Sequence, residues 1–257
     1  MRTLSKPEHG VVAILDALGA ASYGDAEIKR FMGSRQVVLD LLKQKAEDVL
    51  GGILSDIREA MITTFTFNDT ILIILRTGDD EPNLEQITQF FLIIRKFLVD
   101  SLQHRILFRG SIAIGSFYAF DATNTVMGEA VTDAAAWYDK ANWIGVHATP
   151  RATLAIQRWL ERGNVTREHV MLDYDVPLKG ARVRAKAVNW PKAFFVPSIS
   201  PCDRETEPKE KLLEFFAQHR VPWGTEDKFY NTLEFFDYAV ERVEKAAKKR
   251  RASRPSV

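Results

Sequence analysis

The chain has 257 residues, with 35 Lys plus Arg against 34 Asp plus Glu, for a formal charge of +1. That length suits one large domain or one domain with an appendage, and 46% hydrophobic with 27% charged residues excludes disordered and collagen-like chains. The neutral balance argues against bulk attraction to nucleic acid or an anionic membrane, and the single cysteine, Cys202, excludes an internal disulfide and a multi-cysteine zinc site.

Met1–His9 lacks the apolar stretch of a signal peptide. No apolar run nears the ~18 residues of a membrane span. A cytoplasmic setting is expected, with neither membrane nor nucleic acid as partner.

Gly10–Leu18 reads as a buried strand that carries Asp16 near its end and is followed by Gly19. Ile28, Phe31, Val37, Val38, Leu41 and Leu42 set a helical period over about 25–50. Met61–Leu75 is rich in Thr, Ile and Phe, and its Asn68-Asp69 interruption predicts two strands joined by a tight turn. A second amphipathic helix over Leu84–Leu102 opens at Pro82-Asn83. Ile106–Phe117 reads as a strand, the Ala-rich Glu129–Lys140 as a helix, and Pro150–Arg162 as another. Leu172–Val188 gives two strands around Lys179-Gly180.

The proline-punctuated stretch Pro197–Pro208 reads as a boundary. It divides a domain over 1–196 from a helical extension over 197–257, with helices near 208–219 and 226–250 and a basic end at Lys248–Arg251. The hairpin between the first two helices breaks strict βα alternation. The fold class expected is α+β, with a mostly antiparallel sheet of the ferredoxin-like kind.

Two aspartates carry the chemistry. Asp16 interrupts an apolar strand, and a carboxylate there is costly unless paired, hydrogen-bonded or metal-bound. Asp69 sits on the hairpin that this element order places beside the first strand. Two carboxylates converging at adjacent strand ends suit Mg²⁺ or Mn²⁺, which are hard ions that share oxygen ligands with phosphate. Two such ions activate a hydroxyl and neutralise a triphosphate. The alternatives are a strand-end turn cap for Asp16 and plain turn chemistry for Asp69. His9, His104, His147, His169 and His219 show no paired metal spacing.

These residues carry a resemblance. Leu15-Asp16-Ala17-Leu18-Gly19 resembles the first strand of class III nucleotidyl cyclase domains, and Thr66–Ile73 resembles their hairpin with the second metal aspartate. Phe108–Gly115 is similar to their central strand, and Val126–Ala135 to the strand-to-helix segment with catalytic side chains. Within that class the chain looks most like the pyrimidine cyclases of the Pycsar antiphage system, through Arg109-Gly110, Trp143–Val146, Asn189-Trp190-Pro191 and Phe229–Thr232.

The resemblance implies cyclisation of UTP, or of CTP, to a 3′,5′-cyclic monophosphate. It implies a homodimer, two Mn²⁺ or Mg²⁺ ions on Asp16, Ala17 and Asp69, and a separate effector that senses the cyclic nucleotide. The Asn and Arg that the class carries on the helix after its Gly are replaced by Thr132 and Ala136. Arg109 is the substitute cation expected on the phosphates. The backbone N–H groups of Ala17, Leu18 and Gly19 are expected to cradle phosphate. Lys179, Arg182 and Arg184 are further phosphate candidates, and Thr125 and Thr132 match nucleotide-contact positions. Phe67 and Tyr23 are candidates for the base. A cyclase-like scaffold without activity is the competing reading.

Overall fold

The computed structural model describes residues 6–51, 62–162, 169–203, 206–219 and 224–252. Eight strands and six α-helices follow in chain order: β1 (Glu8–Ala17), α1 (Asp25–Gly51), β2 (Ile62–Phe67), β3 (Thr70–Gly78), α2 (Leu84–Gln103), β4 (Phe108–Phe120), β5 (Thr125–Met127) and α3 (Glu129–Ala135). They continue with β6 (Gly145–Ala148), α4 (Pro150–Arg162), β7 (Met171–Leu178), β8 (Ala181–Val188), α5 (Pro208–Ala217) and α6 (Glu226–Ala252). The sheet order is β2-β3-β1-β4-β6-β8-β7, with β5 on β4, and all its named pairings are antiparallel except β4–β6. The α+β class with a mostly antiparallel sheet is therefore the fold observed.

β1 lies in the middle and is buried on both faces, which explains its unbroken apolar run. Val11, Ala13 and Leu15 face a large core shared with α1, α2 and α4, whereas Val12 and Ile14 face a smaller one under α3. This is the period of two expected of a strand. Gly110 lets β4 close on β1: a Cβ there would lie 2.3 Å from the Ile14 carbonyl oxygen. α2 is buried along most of its length and starts at Asn83, whose side chain accepts from Gln86 N while Gln86 reaches back to Asn83 N, a capping box.

Three elements differ from the sequence reading. The Ala-rich helix stops at Ala135, because Trp137–Lys140 turn tightly to bring the chain back to the sheet. β5 and β6 have only three and four residues, too short to show a hydrophobic period. The Asn124 side chain donates to the Thr66 carbonyl (3.4 Å), so the β4–β5 turn folds back over the smaller core toward the end of β2. Met61 and Arg254-Pro255 lie outside the described residues.

The C-terminal helices complete the larger core. Phe235 packs on Trp143 and Tyr174, with ring centroids 4.7 and 4.8 Å apart, and Phe236 packs on Phe194 at 5.3 Å. Leu212, Phe215 and Phe216 of α5 join the same cluster. No helix among the described residues is long and apolar enough to cross a membrane.

Candidate active site

Asp16 stands next to the end of β1, opposite Thr70 of β3 on one side and Arg109 of β4 on the other. Asp69 immediately precedes Thr70 in the β2–β3 turn, where Asn68 takes the left-handed conformation (φ 50°) that Asn tolerates best after glycine. The Asp69 carbonyl accepts from Ala17 N (3.1 Å), which ties the turn to the end of β1. The two aspartates therefore share one end of the sheet. Their charges interact: burial raises the Asp16 pKa above the usual carboxylate range, Arg109 opposes it, and Asp69 and Asp139 add to the rise.

Arg109 makes four hydrogen bonds. Its Nε and Nη2 donate to Asp16 Oδ2 at 3.1 and 3.0 Å, and its Nη1 donates to the Asp139 carbonyl at 2.8 Å and the Ala141 carbonyl at 3.4 Å. In this arrangement the guanidinium holds the Asp16 carboxylate and the returning 139–141 turn, and its fork is not open to a phosphate. The expected phosphate cradle also changes. Ala17 N is bonded to Asp69 and Leu18 N to the Leu107 carbonyl (2.8 Å), because β1 stays paired through these residues. Gly19, at φ 83°, turns the chain out of the strand into a single 3₁₀ turn rather than into a helix. Of the three N–H groups, only that of Gly19 is left without a bond among the described residues.

The donor set fits a hard cation in part. Among the described residues there is no cluster of three or more His, Cys, Asp or Glu arranged around a metal position. Asp16 and Asp69 offer two carboxylates, which suits an ion that takes its other ligands from phosphate and water. Arg109 occupies only Oδ2 of Asp16, and no hydrogen bond among the described residues reaches Oδ1. Ala17, 3% exposed, has only its carbonyl to offer a cation.

The remaining candidates spread around this end. Phe67 is 44% exposed at the end of β2. Thr125, whose hydroxyl donates to the Thr123 carbonyl (3.0 Å), follows the Asn124 that reaches Thr66. Tyr23 donates to the Leu18 carbonyl (3.4 Å). Thr132 is exposed on α3. Lys179 is exposed in the β7–β8 turn. Arg182 pairs with Glu234 and Arg184 with Asp175, both at 3.3 Å between exposed side chains.

Sequence reasoning missed three neighbours. Burial and the charges of Asp16, Asp139 and Asp69 raise the Tyr138 pKa, Arg109 opposing. Asp139 acts on Asp16. Lys228 of α6 is half-buried and interacts electrostatically with Arg109, Lys179 and Asp16. The only sequence signal for Lys228 was its place one turn before Asn231 and Thr232, whose anchoring is visible only in three dimensions.

No family model matches the chain, and no curated protein matches it in sequence. Similar solved structures include the following two. The adenylyl cyclase CyaB from P. aeruginosa is 13% identical over 71% of this chain and 94% of its own, with a TM-score of 0.43. The catalytic core of a rhodopsin-guanylyl cyclase with converted specificity, in complex with ATPalphaS, is 12% identical over 71% of this chain and 96% of its own, with a TM-score of 0.46.

Proposed function

We propose that the chain is a nucleotidyl cyclase of the class III kind that converts UTP to 3′,5′-cyclic UMP and pyrophosphate. In that reaction the ribose 3′-oxygen loses its proton and bonds to the α-phosphorus, and the bond to the β-phosphate oxygen breaks. The observation that carries the reading is the meeting of Asp16 and Asp69 at one end of the sheet, tied by the Ala17–Asp69 hydrogen bond.

Asp16, through Oδ1, and Asp69 would hold Mg²⁺ or Mn²⁺, with the Ala17 carbonyl beside them. A bound cation of this type lowers the pKa of a ribose hydroxyl and offsets phosphate charge. Arg109 keeps the Asp16 carboxylate in one orientation, so its first role is positioning. Lys179 supplies charge toward the phosphates, and Phe67, Thr125 and Tyr23 flank the space for ribose and base. Phe67 follows Phe65 of the smaller core by two residues, on the same face of β2, and we assign this face to a homodimer contact. The likeness to Pycsar cyclases extends the reading to a cytoplasmic signal in antiphage defence, read by a separate effector.

One observation favours a second reading, a nucleotide-binding scaffold without turnover: Arg109 is committed to Asp16, and Thr132 and Ala136 stand where the class has Asn and Arg. The test is incubation with ATP, GTP, CTP and UTP, each with Mn²⁺, and chromatography of the products. Cyclic UMP alone is expected. Cyclic CMP alone makes the chain a cytidylate cyclase, and no product from folded protein selects the scaffold. Asp69→Ala is expected to remove turnover and keep the circular dichroism spectrum. Wild-type rates in that variant would refute the metal assignment.

A further inference from the structure

We propose that Lys228, in the first turn of the C-terminal helix, contacts the triphosphate at the Asp16–Asp69 site. There it supplies, with Lys179, the positive charge that Thr132 and Ala136 do not. The proposal rests on the nucleotide-cyclase reading and adds to it a residue from outside the 1–196 segment.

The placement follows from how α6 is anchored. Asn231 Nδ2 donates to the Asn142 carbonyl (2.7 Å), and Thr232 Oγ1 accepts from Ile144 N (2.8 Å). The same Thr232 hydroxyl donates to the Lys228 carbonyl (2.5 Å). Lys228 precedes these residues by three and four positions, so all three side chains share one face of the helix. That face is turned to the 139–144 segment, whose Asp139 and Ala141 carbonyls hold Arg109 from the other side. The β7–β8 turn meets the segment too: Lys179 N donates to the Lys140 carbonyl (3.0 Å). Arg109, Lys179 and Lys228 thus approach one short stretch of chain from three directions.

Charge makes the grouping informative. Lys228 is half-buried and has no ion pair among the described residues. Burial and the two neighbouring cations depress its pKa, and Asp16, already held by Arg109, is the one carboxylate that opposes them. A lysine in the first turn also faces the positive end of the helix dipole, which disfavours a cation. Helix stability does not explain a lysine at this position. A polyanion at the mouth of the site would relieve all three costs. A nucleoside triphosphate has the required density of charge, and a monophosphate brings much less of it.

The test compares Lys228→Met, Lys228→Gln and Lys228→Arg with the wild type. It measures affinity in Mn²⁺ for α,β-methylene UTP, α,β-methylene CTP, and UMP and CMP. Loss of Lys228 should weaken the preferred triphosphate analogue about tenfold and the matching monophosphate less than twofold, and Lys228→Arg should recover most of the loss. The triphosphate-to-monophosphate ratio decides, because partial unfolding lowers both affinities together. Equal ratios in the wild type and both removal variants overturn the proposal and leave the cyclase reading standing. A wild type that binds none of the nucleotides overturns both.

Discussion

Removing the Arg109 guanidinium is the sharpest perturbation of the site. Asp16 and Arg109 side chains are 17% and 12% exposed, so the pair is largely withdrawn from water. Arg109→Met strips two charge-assisted bonds from Asp16 and leaves a carboxylate without a counter-ion on a central strand. Breaking a buried pair from one side costs about 3–5 kcal/mol. The residual exposure puts this pair near the lower bound, about 3 kcal/mol, which for a chain of this size is a melting-temperature drop of roughly 6–12 °C. Asp16→Asn in the Arg109→Met background removes the orphaned charge and should recover a large part of that loss. Urea unfolding of the wild type, both single variants and the double variant measures the coupling. It should exceed about 1 kcal/mol, as for contacting residues that share a network. A loss below about 0.5 kcal/mol for Arg109→Met, with additive behaviour in the double variant, is what an exposed pair gives. That result would refute the positioning role.

Two further outcomes are expected. His147 is fully buried, and burial pushes its pKa down to about 4. As pH falls below 6.5 the unfolded chain takes up a proton that the native imidazole refuses until about pH 4. Stability should therefore fall through that window, by up to about 3 kcal/mol, and His147→Asn should flatten the profile in urea titrations between pH 7 and 4. Phe235, 0% exposed and in contact with Trp143, Tyr174 and Trp190, should cost about 3–5 kcal/mol as Phe235→Ala. Circular dichroism melting checks it, and a change under 1 kcal/mol would mean the tail helix is not part of the core.

Much of the fold was legible because its long elements carry strong periods. β1 is a two-sided apolar strand, α2 has a cap and an apolar face, and Asn68-Asp69 is a turn signal between β-rich runs. β5 and β6 were not legible, since three or four residues cannot show a period. The placement of Asp16 and Asp69 at one end of the sheet followed from element order. The engagement of Arg109 did not: it depends on register, which sets Arg109 opposite Asp16, and on the tight Trp137–Lys140 turn, which supplies the carbonyls. The loss of the Ala17 and Leu18 N–H groups has the same origin, since one more pair of ladder bonds decides whether a strand end is free for a ligand. Lys228 lies more than 200 residues from Asp16 in sequence, and no local pattern connects the two.

The docking of α6 has a consequence for how the chain can be divided. Its aromatic residues fill the space between Trp143, Tyr174 and Trp190, and its Thr232 holds the backbone that leads into β6. A cut near residue 197 would strip apolar rings on the inner strands and also release the loop that carries Arg109's carbonyl partners. Shortened versions should lose solubility and the geometry around Asp16 and Arg109 together. Insertions between α5 and the sheet should not be tolerated, since Leu212, Phe215 and Phe216 belong to the core. α6 thus behaves as an internal strut of the body formed by the sheet and its core.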